Sequence, residues 1–293
     1  MMKNNLQLIL ALIKYKVSIA VTFTAITGYV VYTGHFDFQI ITLVLGVFLL
    51  AGGSSALNEC QESKYDAKMP RTMNRPIPTG KISLANAVVV SVMFCLAGLF
   101  VLYYNFGAIT AALGLLNLVW YNLIYTYLKR VSSFAVVPGS LVGAIPAFMG
   151  WTAAGGYVFQ PTIIFIAFFL FIWQIPHFWL LMIKYGKEYE EAGFPSITKV
   201  FSQQGLKSLT FIWIIATSIT TLMFPLFNIV TIPLVLIIIF ILNIWLVITF
   251  TRITFNLKID INFKRTFATI NVFMLVILLL LTLEAIINRT FLL

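Results

Sequence analysis

One polar stretch, residues 58–76 (NECQESKYDAKMPRTMNRP), concentrates groups capable of chemistry in an otherwise apolar chain. Asn58, Glu62 and Asp66 follow one another at intervals of four, so a helix continuing through them places their side-chain oxygens along one face. Two acids one helical turn apart repel each other, and the arrangement becomes favourable when a hard divalent ion such as Mg²⁺ accepts oxygens from both. The spacing therefore predicts a magnesium site.

Basic residues follow these acids directly, at Lys68, Arg71 and Arg75. A solvated loop between two membrane spans is the alternative explanation, because Lys and Arg in such loops commonly set the orientation of a membrane protein. If a metal ion is bound nearby, the same side chains suit the oxygens of a phosphate group. The combination predicts a phosphate-bearing ligand.

A second acidic stretch favours the chemical interpretation. Residues 184–196 (KYGKEYEEAGFPS) carry Glu188, Glu190 and Glu191, and six of the nine acidic residues of the chain fall in the two stretches. We expect both stretches to be loops that follow even-numbered membrane spans. They then lie on the same side of the membrane.

The composition indicates an integral membrane protein. Of 293 residues, 61% are hydrophobic and 10% are charged, with a mean hydropathy of +1.00, and no soluble fold could bury that much apolar surface. About 20 residues are needed for a helix to cross a bilayer. We therefore expect an all-α fold of about nine transmembrane helices, formed as a single membrane-embedded domain over residues 1–293. The expected spans are residues 15–34, 39–58, 84–104, 108–127, 134–154, 161–183, 209–227, 230–250 and 266–287.

The basic residues predict the orientation. With a cytoplasmic N-terminus, eighteen of the nineteen Lys and Arg residues lie on the cytoplasmic side and only Arg289 lies outside, close to an external C-terminus. This distribution satisfies the positive-inside rule. The net charge of +10 is explained by topology, so it implies no nucleic-acid partner.

The N-terminal residues bear on the cellular location of the protein, and the two cysteines bear on whether it has a metal site or disulfides. Residues 1–14 have a short apolar run without a small-residue cleavage site, so we expect an interfacial lead-in to the first span instead of a signal peptide. The stretch is neither Arg-rich nor Ser-rich, which favours a bacterial plasma membrane over a mitochondrial one. Cys60 and Cys95 form neither a metal-binding spacing nor a disulfide framework.

Several polar and aromatic residues lie where a span should be apolar. The sixth span ends in FIWQIPHFWLLMIK, which places Trp173, Gln174, His177 and Trp179 inside the membrane boundary. Such groups are costly there and are functional candidates, with a merely hydrogen-bonded histidine as the alternative. Tyr125, near the end of the fourth span, belongs either to an aromatic belt or to the site. Spans seven to nine are almost purely apolar, which suits a scaffold or a wall for a lipid-like tail.

Two acidic stretches beneath an apolar bundle indicate a ligand with an anionic, metal-bound head and a long hydrocarbon tail. A prenyl diphosphate has this form. A polytopic transporter is the alternative from another class, because charged loops beside polar span ends also suit an ion pathway. A transporter should carry charges within its spans instead of massing them on one face.

At these residues the chain resembles the UbiA-type intramembrane prenyltransferases, whose N-x-x-x-D-x-x-x-D motif follows the second span and whose other acidic motif follows the sixth. Within that superfamily it resembles the protoheme IX farnesyltransferases (heme O synthases) over about residues 16–195. The resemblance implies a UbiA-type bundle around a central cavity. The matching pieces are M-x-R-T-x-x-R-P at residues 69–76, YTYLKR at 125–130, GAIP and GW within 143–151, WQIPHFW at 173–179 and EYEEAGFP at 188–195.

The chain departs from the family pattern at five positions. Glu62 stands where the family usually has Asp, which keeps the charge and lengthens the side chain by one methylene. Ala135, Ser140 and Ala147 replace an expected Asn, Gly and Pro. Lys187 occupies one of two expected acidic positions in the second stretch and leaves Glu188 as the matched acid.

The resemblance implies transfer of farnesyl from farnesyl diphosphate to a vinyl group of heme B, with addition of water, to give heme O and diphosphate. The cofactor would be Mg²⁺, held by Asn58, Glu62, Asp66 and Glu188, which are also the implied catalytic residues. His177 is the candidate axial ligand of the acceptor heme. Association with a heme A synthase cannot be read from the residues. The residues implied in substrate binding are Lys68, Arg71, Arg75, Tyr125, Lys129, Arg130, Trp173, Gln174, His177 and Trp179.

The nearest alternative is a prenyltransferase of the same superfamily that acts on an aromatic quinone precursor. The WQIPHFW and M-x-R-T-x-x-R-P sequences argue against it. Incubation with both kinds of acceptor separates the two.

Overall fold

The structure is a computed structural model that describes residues 2–255 and 262–292, and every regular element in these ranges is helical. The predicted all-α class is confirmed. The α-helices are α1 Met2–Leu12, α2 Tyr15–Thr33, α3 Gln39–Asp66, α4 Leu84–Val119, α5 Thr126–Leu128, α6 Val136–Gly139, α7 Leu141–Ala153, α8 Pro161–Ala192, α9 Gln203–Leu222, α10 Pro233–Phe255 and α11 Phe263–Leu292, with a π-helix at Trp120–Tyr125 and 3₁₀ turns at Ile197–Lys199 and Phe224–Phe227.

Within the described ranges, eight helical segments are long and apolar enough to cross a membrane. One of them, Leu84–Leu128, has 45 residues, and a φ of 81° at Gly107 breaks it near its middle. Glycine adopts that conformation at no steric cost because it lacks a Cβ atom. Each half of the segment is long enough to cross the membrane once, which agrees with about nine predicted crossings and with the predicted end of the third span and start of the fourth at residues 104 and 108.

The first acidic stretch continues the helix before it, as predicted. Helix α3 runs through Asn58 and Glu62 and ends at Asp66. Pro70 follows within four residues and cannot extend a helix that needs its backbone N–H. Turns then fill the connection to Ser83, whose hydroxyl caps α4 by accepting from the Asn86 N–H.

The second acidic stretch is helical, and its prediction as a loop was wrong. Helix α8 runs without interruption past Pro176 to Ala192 and stops at Gly193, which has a φ of 98°. Glu and Lys are good helix formers, so the helix continues through Gly186 and ends only at Gly193, where the backbone turns left-handed. The three glutamates therefore sit on a rigid element.

Small residues let α2 and α7 approach each other closely. A Cβ atom on Gly150 would overlap the carbonyl oxygen of Ala25, and one on Gly28 would overlap the carbonyl oxygen of Ala147. Close backbone approach of this kind drives helix association in membranes. The fifth predicted span is broken into α6 and α7 at Ser140.

The long helices form a closed ring of neighbours in the order α2, α3, α4, α7, α8, α9, α10, α11 and back to α2. The contact between α2 and α7 divides this ring into two bundles. A cavity lies between the bundle of α2, α3, α4 and α7 and the neighbouring helix α8, and these five helices line it together with the loops at their ends. Within the described residues, α9, α10 and α11 contribute nothing to its lining, so they serve as scaffold and the predicted wall for a lipid-like tail is not found there.

We expect Gly150→Ala to destabilise the protein by about 1–3 kcal/mol, because the added methyl group overlaps α2 backbone that cannot move aside cheaply. Gly205→Ala is the matched control, since the new Cβ atom would meet the Ser202 hydroxyl at 3.3 Å on a helix end with room to adjust. Thermal unfolding of both variants in the same detergent measures the difference. Equal transition temperatures would contradict the assigned α2–α7 contact.

Candidate active site

The cavity has a volume of about 340 Å³ and divides into a charged mouth and an apolar interior. Side chains such as Val47, Leu50 and Met149 line the interior. The mouth lies at the end of the bundle where α3 and α8 both terminate. An apolar chamber beneath a charged opening suits an amphiphilic ligand whose head stays at the opening.

The residues singled out by their spacing line this cavity together. Asn58, Glu62 and Asp66 form a column along one face of α3, and their exposed fractions are only 2%, 6% and 1%. The predicted common face is confirmed. Carboxylates buried to this degree require opposite charge nearby, because an isolated buried charge is very costly.

Each member of the column contacts a different basic side chain. These contacts come from three separate parts of the chain, so the mouth is assembled by tertiary structure. The Lys14 ammonium donates to Asn58 Oδ1 at 3.2 Å, Lys129 Nζ lies 2.6 Å from Glu62 Oε1, and an Arg75 guanidinium nitrogen lies 2.6 Å from Asp66 Oδ2.

Lys14 is a site residue that the sequence analysis missed. It sits in the turn between α1 and α2 with a φ of 47°, a left-handed conformation that costs a non-glycine residue about 1–3 kcal/mol. Burial and the neighbouring Arg75 charge lower the pKa of Lys14 to about 8, so its ammonium is largely charged at neutral pH. Topology explained all the lysines near the start of the first span, and the left-handed backbone that distinguishes Lys14 from Lys16 cannot be read from the sequence.

The π-helix aligns the fourth span with α3. Asn122 is buried and its amide bonds Ser54 and Gln61, donating to the Ser54 carbonyl at 3.0 Å and accepting from the Ser54 hydroxyl at 2.6 Å. One turn later, Thr126 Oγ1 accepts from Asn58 Nδ2 at 3.0 Å. π-helical turns are rare and often occur at functional sites.

Aromatic rings cover one side of the mouth. Tyr121, Tyr125, Tyr185 and Tyr189 line the cavity, and the Lys129 ammonium lies 5.0 Å from the centre of the Tyr125 ring. A ring face in this position stabilises a cation by about 2 kcal/mol or more when water is excluded. The site is therefore prepared for positive charge.

The second acidic stretch meets the first at the same end of the bundle. Glu188 accepts a hydrogen bond from the Arg71 backbone N–H at 3.2 Å, and the Arg71 side chain donates to the Tyr189 hydroxyl at 3.0 Å. Met69 and Phe194 pack together just beside these contacts. Glu188 itself is outside the cavity lining, and Lys187 is exposed.

The donor set fits a magnesium ion in part. Hard oxygens from Asn58, Glu62 and Asp66 are the ligand type that Mg²⁺ prefers, and each already faces a cation. Among the residues the structure describes, no group of three His, Cys, Asp or Glu side chains is close enough to hold a metal alone. The fit is therefore to a metal that also takes oxygens from a phosphate and water.

The predicted basic residues divide into two groups. Arg71, Arg75 and Lys129 line the cavity, as a phosphate site requires. Lys68 is exposed and outside the lining. Arg130 turns away to donate to the Gln61 carbonyl at 2.8 Å, so it supports α3 instead of facing the cavity.

The four predicted site residues of the sixth span also fall into two groups, because one lines the cavity and three do not. Gln174 lines the cavity beside Gly143, where any Cβ atom would overlap its amide. Trp173 lies outside the lining and donates to the Ile270 carbonyl of α11 at 3.0 Å. His177 is also outside it and packs against the Trp173 and Phe267 rings, with centroids at 5.0 and 4.7 Å.

Trp179 is the fourth of these residues and is fully buried away from the cavity. Its ring meets that of Trp213 on α9 edge to face, at 6.1 Å between centroids. Of the four residues that the sequence singled out in this span, only Gln174 lines the cavity. The sequence could not indicate which side of α8 faces the cavity, because polar and aromatic residues occupy both sides.

Comparison with known sequences identifies relatives along most of the chain. The model of the UbiA prenyltransferase family matches residues 20–270. A protoheme IX farnesyltransferase of Nitratidesulfovibrio vulgaris strain DP4 is 34% identical over 216 residues, which cover 74% of this chain and 75% of the relative. One from Geobacter sulfurreducens is 38% identical over 183 residues, covering 62% and 67%.

Solved structures share the fold at low sequence identity. A structure from work on a digeranylgeranylglyceryl phosphate synthase has a TM-score of 0.77 at 16% identity and covers 97% of this chain and 99% of that one. A UbiA homologue from Archaeoglobus fulgidus, bound to GPP and Mg²⁺, has a TM-score of 0.68 at 14% identity and covers 95% and 99%. The family match, the relatives and the site geometry agree, and the chain belongs to the UbiA prenyltransferase family.

Proposed function

We propose that this chain transfers a farnesyl group from farnesyl diphosphate to a vinyl group of heme B, with addition of water, to form heme O and release diphosphate. The observation that carries the proposal is the buried column of Asn58, Glu62 and Asp66, each in contact with a basic side chain, at the mouth of an apolar cavity. Support for the acceptor comes from the relatives described as protoheme IX farnesyltransferases.

The first task of the site is to bind a diphosphate at the mouth. Asn58, Glu62 and Asp66 would hold Mg²⁺, and the bond from the Arg71 backbone N–H fixes Glu188 at the same end of the bundle. When bound, the metal acts as a Lewis acid on the diphosphate oxygens and stabilises the departing charge. The apolar interior takes the hydrocarbon tail.

The basic side chains then bind the leaving group. Lys14, Arg75 and Lys129 are already at the mouth, where they neutralise the column. Once a metal neutralises the column, the same three groups can contact phosphate oxygens after small side-chain movements, and Arg75 can do so bidentately. Negative charge builds up on diphosphate as the C1–O bond breaks. These three basic groups, which are held close by, stabilise it.

The ring faces protect the allylic cation. Tyr121 and Tyr125 lie one helical turn apart on the side of the cavity next to Glu62 and its Lys129 partner. Their faces attract positive charge. The vinyl group of the acceptor must approach from the remaining side, where Gln174 lines the cavity on α8.

The protein is a multi-pass membrane protein, and the proposal includes its orientation and the kind of membrane in which it lies. The charged mouth lies at the end that the basic residues predict to be cytoplasmic, with the N-terminus on that side and the C-terminus outside. Relatives from bacteria support a bacterial plasma membrane. Water-soluble diphosphate would then be released to the cytoplasm, while both prenyl donor and heme enter from the bilayer.

A direct reaction tests the proposal. Purified protein is mixed with heme B and farnesyl diphosphate, with and without EDTA, and the hemes are analysed by mass spectrometry. We expect a heavier and more hydrophobic heme that requires divalent metal. Prenylation of an aromatic quinone precursor in a parallel reaction, with heme left unchanged, would replace the proposed acceptor by the alternative one.

We expect Asp66→Asn to lower metal-dependent diphosphate release by more than about 100-fold, because it removes the negative charge of a metal ligand, and loss of a group that only supports a ligand already costs about 10- to 100-fold. Glu191→Gln is the control, since Glu191 is an exposed acid near the same end of the bundle. Diphosphate release is measured at saturating Mg²⁺ and farnesyl diphosphate. A near-wild-type rate in Asp66→Asn would contradict the assigned column.

His177→Phe tests the predicted heme ligand. Its place between the Trp173 and Phe267 rings favours a packing role between α8 and α11, which phenylalanine can fill. We therefore expect the variant to bind heme B with an unchanged Soret band and affinity. Loss of the heme spectrum in a stably folded variant would restore His177 as the axial ligand.

A further inference from the structure

We propose that Thr126 is a positioning residue whose hydroxyl fixes the amide of Asn58 with its oxygen facing the cavity. The inference rests on the proposed function, because it assigns a task to Asn58 as a metal ligand. It concerns the orientation of one side chain that can, in principle, present either a carbonyl oxygen or an amino group. Only the oxygen can bind a cation.

The hydroxyl of Thr126 can donate only one hydrogen bond, and that bond is already made. Thr126 Oγ1 lies 2.8 Å from the Tyr121 carbonyl oxygen. A carbonyl oxygen can only accept, so the threonine proton points to it. Toward Asn58, at 3.0 Å, the hydroxyl therefore presents lone pairs and selects the amino group of the amide.

The π-helix creates this arrangement. In an α-helix a threonine hydroxyl bonds a carbonyl three or four residues earlier, whereas Tyr121 is five residues before Thr126. The Tyr121 carbonyl also accepts the backbone N–H of Thr126. The extra residue in the turn thus supplies the acceptor that holds the hydroxyl proton.

The other end of the amide requires the same orientation independently. The Lys14 ammonium lies 3.2 Å from Asn58 Oδ1, and an ammonium group can only donate. Thr126 is fully buried and Asn58 is 2% exposed, so water does not compete for these bonds. Two partners of opposite hydrogen-bonding character therefore define which atom of Asn58 faces the mouth.

The test uses Thr126→Val, which keeps the side-chain shape and removes the hydroxyl, and Thr126→Ser, which restores it. Mn²⁺ binding is measured by electron paramagnetic resonance in the presence of inorganic pyrophosphate, so neither heme nor turnover is involved. We expect Thr126→Val to weaken Mn²⁺ binding by about 10- to 100-fold, as loss of a group that orients a ligand commonly does. Thr126→Ser should bind close to wild type.

Two controls separate positioning from general damage. Thr210→Val removes a buried hydroxyl on α9, outside the cavity lining, whose bond is to its own helix at Leu206, and it should leave Mn²⁺ affinity unchanged. In a double-mutant cycle with Asn58→Ala, Thr126→Val should add no further loss, since the group it positions is gone. Thr126→Ala replaces the valine variant if the latter does not fold.

Wild-type Mn²⁺ affinity in folded Thr126→Val or Thr126→Ala would overturn the inference, as would fully additive losses in the cycle. These outcomes are independent of the acceptor. A wild-type protein that binds Mn²⁺ and pyrophosphate but does not modify heme would refute the proposed function and leave the role of Thr126 standing.

Discussion

Everything at the mouth of the cavity follows from negative charge that is buried. Glu62 and Asp66 are one helical turn apart on α3 and nearly inaccessible to water. At a separation of about 6 Å and an effective dielectric constant of about 20, two such charges repel by roughly 3 kcal/mol, in addition to the cost of desolvation. Basic side chains from the α1–α2 turn, the α3–α4 connection and the end of the fourth span offset this cost, so folding brings these segments together.

The same requirement explains how a site with this geometry can accept a diphosphate. The neutralising groups are side chains on flexible stems, and each can exchange its present oxygen partner, an amide oxygen for Lys14 and a carboxylate oxygen for Arg75 and Lys129, for a phosphate oxygen with little change of position. By contrast, the groups that aim the column are short and rigid, such as Asn122 and Thr126, and lie behind it. Rigid support on one side and adaptable charge on the other is an arrangement that suits binding a metal complex of variable composition.

The sequence predicted the class of fold, the nine crossings and the α3 column, because these depend on hydropathy and helical spacing within single segments. It could not assign Lys14 or Thr126, whose roles depend on a strained turn and on a π-helical carbonyl. It placed His177 and Trp179 with the substrate, although the structure turns them toward α11 and α9. Spacing alone does not distinguish a helix face that lines a cavity from one that packs against a neighbour.

The π-helix at Trp120–Tyr125 has a consequence for how this protein can change. One residue corresponds to a rotation of about 100° in an α-helix. Deleting one residue from this segment would restore ordinary backbone bonding and also swing Lys129 away from Glu62. The π-helix therefore fixes the rotational position of the residues that follow it. Substitutions in the fourth span are tolerated far better than insertions or deletions.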